Sequence, residues 1–306
     1  MYKNLSRKSF VYFLMSVDSS AILRNNEQLL RRCRSLRQAL ELVPSLVVDP
    51  ADSAEGLVSR VGETECGRDI YVLPGLAKSC YLIPGFLSDT SIFDLTQEIL
   101  TYHIDSPPHS NSLDSVSVAR SLWTEYSRNP DDLSSSLNRL RWSCVGYHYN
   151  WGERSYNKCE RSRFPKSFED IYSSVLKAIN NIRDGEKLRG VPESAIINFY
   201  HSHRISDRLG GHRDDVEETD ATPLVSLSLG RTGIFLIDDQ AICLRSGDVL
   251  VMAQNARQSL HGVPIVLNCN ERKSRKVKAS TESTWRDEIV EFLSKTRISI
   301  SIRQVY

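Results

Sequence analysis

A mainly β chain with flanking helices is predicted by three observations. Short apolar runs at 224–229, 234–237, 241–244 and 249–252 follow one another closely, separated by turn signals at 230–233, 238–239 and 246–248. In the final stretch, residues 297–303 alternate strictly between polar and apolar residues. Helical spacing is confined to a few segments. Short strands at such regular intervals describe a sandwich or a jelly-roll barrel, so the fold class expected is α+β with a mainly β core.

The chain is long enough for one large domain or for a domain with a substantial extension: 306 residues, 40% hydrophobic and 25% charged. A net charge of +1 excludes a wholesale polycation but leaves room for a local basic groove. Cysteines at 33, 66, 80, 144, 159, 243 and 269 form no CxxC pair. Their odd number and irregular spacing point to a reducing, intracellular setting rather than a disulfide framework. No apolar run approaches the roughly 18 residues of a membrane span.

The first forty residues carry eight Lys or Arg against only Asp18 and Glu27, with frequent Ser and an apolar patch at 10–14. That composition fits either a mitochondrial transit segment or a basic helix around 21–43 that flanks the domain. Residues 43–75 are punctuated by Pro and Gly and read as irregular connection. A short strand is expected at 80–83. A helix is expected over 89–102, with Ser88, Asp89 or Thr90 available as its cap. Residues 107–115 are rich in Ser and Pro and read as a surface loop.

The stretch 139–151 interleaves Trp142, Tyr147, Tyr149 and Trp151 with Arg139, Arg141, His148 and Asn150. Aromatic faces stack on bases and neighbouring cations hold phosphate, so this is the composition of a nucleobase-reading edge. A buried aromatic hairpin is the structural alternative, since aromatics are typical strand residues. If the segment is extended, Tyr147 and Tyr149 share a face. A helix follows over 167–183.

The residues that carry chemistry begin at Ile196. A strand, 196–200, leads through Leu209-Gly210-Gly211 to His212-Arg213-Asp214. In an extended chain the imidazole of His212 and the carboxylate of Asp214 point the same way, as two ligands of a 2-His-1-carboxylate iron site would. The next candidate is His261, several strands on; in a double-stranded β-helix that separation can return the chain to the same mouth. On the last strand Arg297, Ser299, Ser301 and Arg303 fall on one face, and Ile298, Ile300 and Ile302 on the other. An arginine facing a barrel interior needs an anion.

The ordered set Asn198-x-Tyr200, His212-x-Asp214, His261 and Arg297-x₅-Arg303 resembles the AlkB family of Fe(II)/2-oxoglutarate-dependent nucleic-acid dioxygenases, over roughly residues 75–306. The resemblance implies a double-stranded β-helix with flanking helices, Fe(II) as cofactor, and 2-oxoglutarate and O₂ as cosubstrates. It assigns iron to His212, Asp214 and His261, and 2-oxoglutarate to Asn198, Tyr200, Arg297 and Arg303. It places a nucleotide-recognition lid over 142–165, where Trp142, Tyr147, Tyr149 and Trp151 would meet substrate, with Glu217 a candidate for the target base. The expected organisation is a basic extension over 1–74, a lid-bearing part over 75–190 and a catalytic core over 191–306.

The expected activity is oxidative demethylation of nucleic acid: tRNA with 1-methyladenine or 5-methylcytosine, or DNA with N6-methyladenine or an alkylated base. A protein-lysine demethylase of the same mechanism and a non-catalytic nucleic-acid binder are the alternatives. A monomer working away from membranes, in mitochondrion, nucleus or cytoplasm, is expected. His201 and His203 are extra histidines beside the motif, and a basic insertion lies between Pro264 and Trp285.

Overall fold

The computed structural model describes residues 19–31, 33, 36–43, 46–47, 50, 58–73, 75, 79–113, 121–182, 187–204, 206–219, 221–267 and 285–306. The apolar-basic start at 1–18 and most of the basic insertion, 268–284, lie outside the described residues.

The described residues hold fifteen strands in chain order: β1 (Leu46–Val47), β2 (Ser59–Glu63), β3 (Asp69–Leu73), β4 (Cys80–Ile83), β5 (Ser110–Asn111), β6 (Trp142–Asn150), β7 (Ser155–Arg161), β8 (Ser194–His201), β9 (Leu209–His212), β10 (Leu224–Gly230), β11 (Gly233–Ile237), β12 (Gln240–Leu244), β13 (Val249–Met252), β14 (His261–Val266) and β15 (Thr296–Arg303). Among the described residues they form two sheets. The smaller runs β1-β12-β11-β14-β9, and the larger β2-β3-β4-β13-β10-β15-β8-β6-β5 with β7 hung on β6. Apart from the parallel β1–β12 pair the neighbours are antiparallel. This is a jelly-roll with flanking helices.

Period-two alternation sorts the side chains into three cores. Along β4 and β13, Cys80, Leu82, Leu250 and Met252 face the space between the sheets, while Tyr81, Ile83, Val249 and Val251 face the helices outside. Along β11, Phe235 and Ile237 face inward, while Ile234 and Leu236 meet Leu23 and Leu30 of the Ser19–Leu30 helix. The larger sheet's outer face is covered by the Asp89–Glu98, Lys166–Ile182 and Arg286–Lys295 helices. On β15, Ile298, Ile300 and Ile302 join that outer core, which turns the polar face inward.

Several expectations are corrected. Residues 59–63 and 69–73, expected as irregular connection, are paired strands that extend the larger sheet through β4. The helix expected over 89–102 is α-helical only to Glu98 and continues as a π turn, Ile99–His103; Ser88 caps its start by accepting from the Ser91 N–H. In the supposed surface loop, Asn111 is buried and β5 pairs with Ser143 and Cys144.

Candidate active site

Strand pairing brings the distant candidates together. In the β9–β14 pair His212 lies directly opposite His261, and Asp214 follows two residues beyond the end of β9. The ligand-capable atoms of these three residues lie within 4.8 Å of one another. His212 Nε2 is 3.7 Å from one Asp214 oxygen, and His261 Nε2 is 3.6 Å from the other.

The tautomers follow from the partners. His212 Nδ1 donates to Gly210 O at 2.9 Å, and His261 Nδ1 donates to Ser259 O at 3.0 Å. A carbonyl can only accept, so each ring keeps its proton on Nδ1 and offers the Nε2 lone pair to the shared centre. That is the support a metal-binding histidine needs. Burial, then the neighbouring His261, pushes the His212 imidazole down toward its neutral form. Burial alone would raise the Asp214 carboxyl, but Arg303 and the two histidines outweigh it and hold it well below the usual carboxylate range. Two imidazoles that present Nε2 and an ionised carboxylate around one point are a donor set for a divalent ion with positions to spare.

Beneath this cluster β8 and β15 run antiparallel, with Tyr200 opposite Arg297 and Asn198 opposite Ser299. All four side chains line one pocket of about 500 Å³ with the His-Asp-His cluster. Arg297 is 1% exposed; its Nη1 donates to Arg231 O and Leu244 O, and its Nη2 to Ser228 Oγ. Its Nε and the Tyr200 hydroxyl are buried without a hydrogen-bond partner among the described residues. Burial pushes the Tyr200 phenol up to about 12, so it stays a donor. Two unsatisfied buried donors side by side are costly, and one carboxylate would satisfy both.

Arg303 sits at the other end of the strand face. Its Nη1 is 3.1 Å from Asp214 Oδ1 and 2.8 Å from Glu217 Oε1. Glu217 is a correction. Its side chain is 1% exposed and held between Arg303 and Arg257, so it faces the charge network under the metal cluster, not a base. Arg257 is the residue the sequence reading missed. It is fully buried, its Nη2 lies 3.3 Å from Glu217, its Nε donates to Thr222 O, and its Nη1 lies 4.0 Å from Asp214. Nothing in the local run Asn255-Ala256-Arg257-Gln258 marks it.

The aromatic stretch divides. Tyr149 and Trp151 line the metal pocket, with Arg154 beside them. Trp142 does not; it braces Trp151, ring centroids 5.3 Å apart. Tyr147 lines a separate pocket, so of the two tyrosines only Tyr149 reaches the His-Asp-His cavity. His201 and His203 stand apart from the cluster; His201 is buried and bonded to Leu140 O and Thr296 Oγ1, so it is neither a ligand nor solvated.

The sequence model of the 2OG-Fe(II) oxygenase superfamily matches residues 79–303. The chain belongs to that superfamily. These oxygenases use Fe(II) as cofactor and 2-oxoglutarate and O₂ as cosubstrates, and the donor set and the paired unsatisfied donors described above fit the first two. The chain is similar to a DNA N(6)-methyladenine demethylase of Arabidopsis thaliana, with 36% identity over 182 residues, 56% of this chain and 50% of that one. A tRNA demethylase of Schizosaccharomyces pombe is 30% identical over 55% of this chain and 53% of its own. A nucleic acid dioxygenase of Homo sapiens is 29% identical over 56% of this chain and 47% of its own. The chain thus spans about half the length of these oxygenase relatives.

Proposed function

We propose that the chain is an Fe(II)/2-oxoglutarate-dependent dioxygenase that oxidises methylated bases in nucleic acid, in tRNA or DNA. The observation that carries this reading is a shared pocket. The His212–Asp214–His261 cluster, the Arg297–Tyr200 donor pair and the Tyr149–Trp151 rim all face one cavity.

In this reading His212, Asp214 and His261 hold the iron. Arg297 and Tyr200 take the far carboxylate of 2-oxoglutarate, with Asn198 on the same face. Arg303 keeps Asp214 ionised and aimed, and the Glu217–Arg257 pair balances its charge from below. Tyr149 and Trp151 give a flipped base an aromatic wall, since a base must leave its stack to reach such a site. When bound, iron with 2-oxoglutarate and O₂ supplies the oxidation of a C–H bond, with succinate and CO₂ as co-products, and a hydroxylated N-methyl leaves as formaldehyde. The apolar walls, Leu224, Phe235, Leu250 and Met252 among them, exclude water around that reaction.

The relatives are named for activity on both DNA and tRNA, so the test offers both. Nucleosides from methylated tRNA and DNA are quantified by mass spectrometry after incubation with enzyme, Fe(II) and 2-oxoglutarate. Loss of at least one methylated base, matched by succinate, is the expected result. No loss from either polymer, with efficient demethylation of a methyl-lysine peptide, would contradict it.

A further inference from the structure

The stretch at Gly146 and Tyr147 builds a second pocket. β6 leaves the larger sheet at Gly146, whose φ of +74° suits glycine and whose Cβ, if present, would lie 2.0 Å from Glu193 O. Beyond that bend the strand pairs with β7 instead, and Tyr147 turns into a cavity of about 400 Å³ that shares no lining residue with the metal pocket. Arg161, Arg163 and Phe164 form its other wall.

The chemistry of that wall is cationic and aromatic. Arg161 Nη1 donates to the Tyr147 hydroxyl at 3.2 Å, with the guanidinium 5.5 Å from the ring centroid. Neither Arg161 nor Arg163 has a carboxylate partner among the described residues. The acidic side chain on the lining, Glu193, is spent on the backbone: one of its oxygens accepts from the N–H groups of Val305 and Tyr306. The aromatic surface continues past the pocket. Tyr306 meets Tyr147 edge-on at 4.9 Å, and Lys158 Nζ sits 4.2 Å over the Tyr306 ring. Two unpaired guanidinium groups suit a phosphate, and flat rings beside them suit a base.

We propose that this pocket binds a nucleotide adjoining the one whose base enters the metal pocket, its phosphate on Arg161 and Arg163 and its base against Tyr147. This rests on the nucleic-acid reading above. Tyr147 and Tyr149 are two residues apart, about 7 Å along a strand, so one polynucleotide strand reaches both pockets.

The test is fluorescence anisotropy of labelled single-stranded 12-mers, one DNA and one RNA, over a salt series with the full chain. Arg161→Gln/Arg163→Gln should bind the preferred strand more weakly and flatten the dependence of log K on log[salt] by about 0.7, the value for one phosphate on a single strand. Tyr147→Ala should weaken binding roughly 5- to 150-fold without changing that slope. Arg60→Gln/Lys177→Gln removes two exposed cations that are paired with carboxylates elsewhere, and should keep the parent slope. A double arginine variant with the parent's affinity and slope overturns the pocket alone. So does an equal loss of slope in the control pair, which would mean only diffuse surface charge. A parent chain that binds neither strand overturns the nucleic-acid reading and this inference with it.

Discussion

At the scale of single residues, the site depends on charge held where water cannot reach it. Asp214 is ionised because Arg303 faces it, and both histidines are fixed by backbone carbonyls. Asp214→Ala should therefore abolish succinate production, since it removes one of three ligands, while circular dichroism stays that of the folded chain. Undiminished succinate from this variant would remove the metal assignment. Arg297→Ala should act on the cosubstrate. Losing one partner of a buried charge pair costs about 2–5 kcal/mol, so the apparent KM for 2-oxoglutarate should rise about 30-fold or more. An unchanged KM would leave Arg297 with a purely structural role. The candidate ligands were legible because His212 and Asp214 stand two residues apart in an extended run, and the arginines of the last strand alternate with isoleucines. Arg257 and the burial of Glu217 were not. Each is defined by a partner forty residues away in the chain, and no local pattern carries that information.

At the scale of elements, legibility followed apolar runs and alternation. The strands from β10 to β13 read as short apolar runs between turns because both of their faces are buried, and β15 by its alternation. β2 has neither: Ser59–Glu63 is an exposed edge strand, polar throughout except Val61, and only its pairing with β3 makes it a strand. The β6–β7 hairpin shows what alternation cannot carry: Tyr147 and Tyr149, two residues apart on one strand, line different pockets. Gly146 is where β6 turns, and a methyl group there meets Glu193 O and Phe164. Gly146→Ala should cost more than the roughly 1–2 kcal/mol of a left-handed non-glycine residue. The loss should appear as faster hydrogen exchange across β6 and β7, with β10 and β15 protected as before. Equal protection of the hairpin in both proteins would show that the bend needs no glycine.

At the scale of the whole molecule, acid should loosen the fold through buried histidines away from the metal cluster. Burial pushes His109 and His201 each down to about 4, against an ordinary value of about 6.5. His109 is surrounded by His103, His148 and Ser162, and His201 by Asp207, His203 and Arg204. Because their folded pKa lies below the unfolded one, the unfolded chain binds more protons between pH 6.5 and 4. Stability is thus full above pH 6.5 and falls as pH drops through that window, by up to about 3 kcal/mol for each group. Urea midpoints should fall over this range, and His109→Gln should flatten the fall. Midpoints that hold steady or rise on acidification would contradict the assignment.

In the proposed function, one cavity joins the iron site to a rim that reads the base. The most direct measurement counts succinate and demethylated nucleoside in the same reaction, for the parent and for Tyr149→Ala/Trp151→Ala. The parent should form the two in nearly equal amounts on its preferred polymer. In the rim variant, demethylation should fall roughly 5-fold or more, as expected for lost stacking, while succinate continues to form. Equal yields in parent and variant, or a parent that forms succinate at the same rate with and without nucleic acid and demethylates nothing, would contradict it.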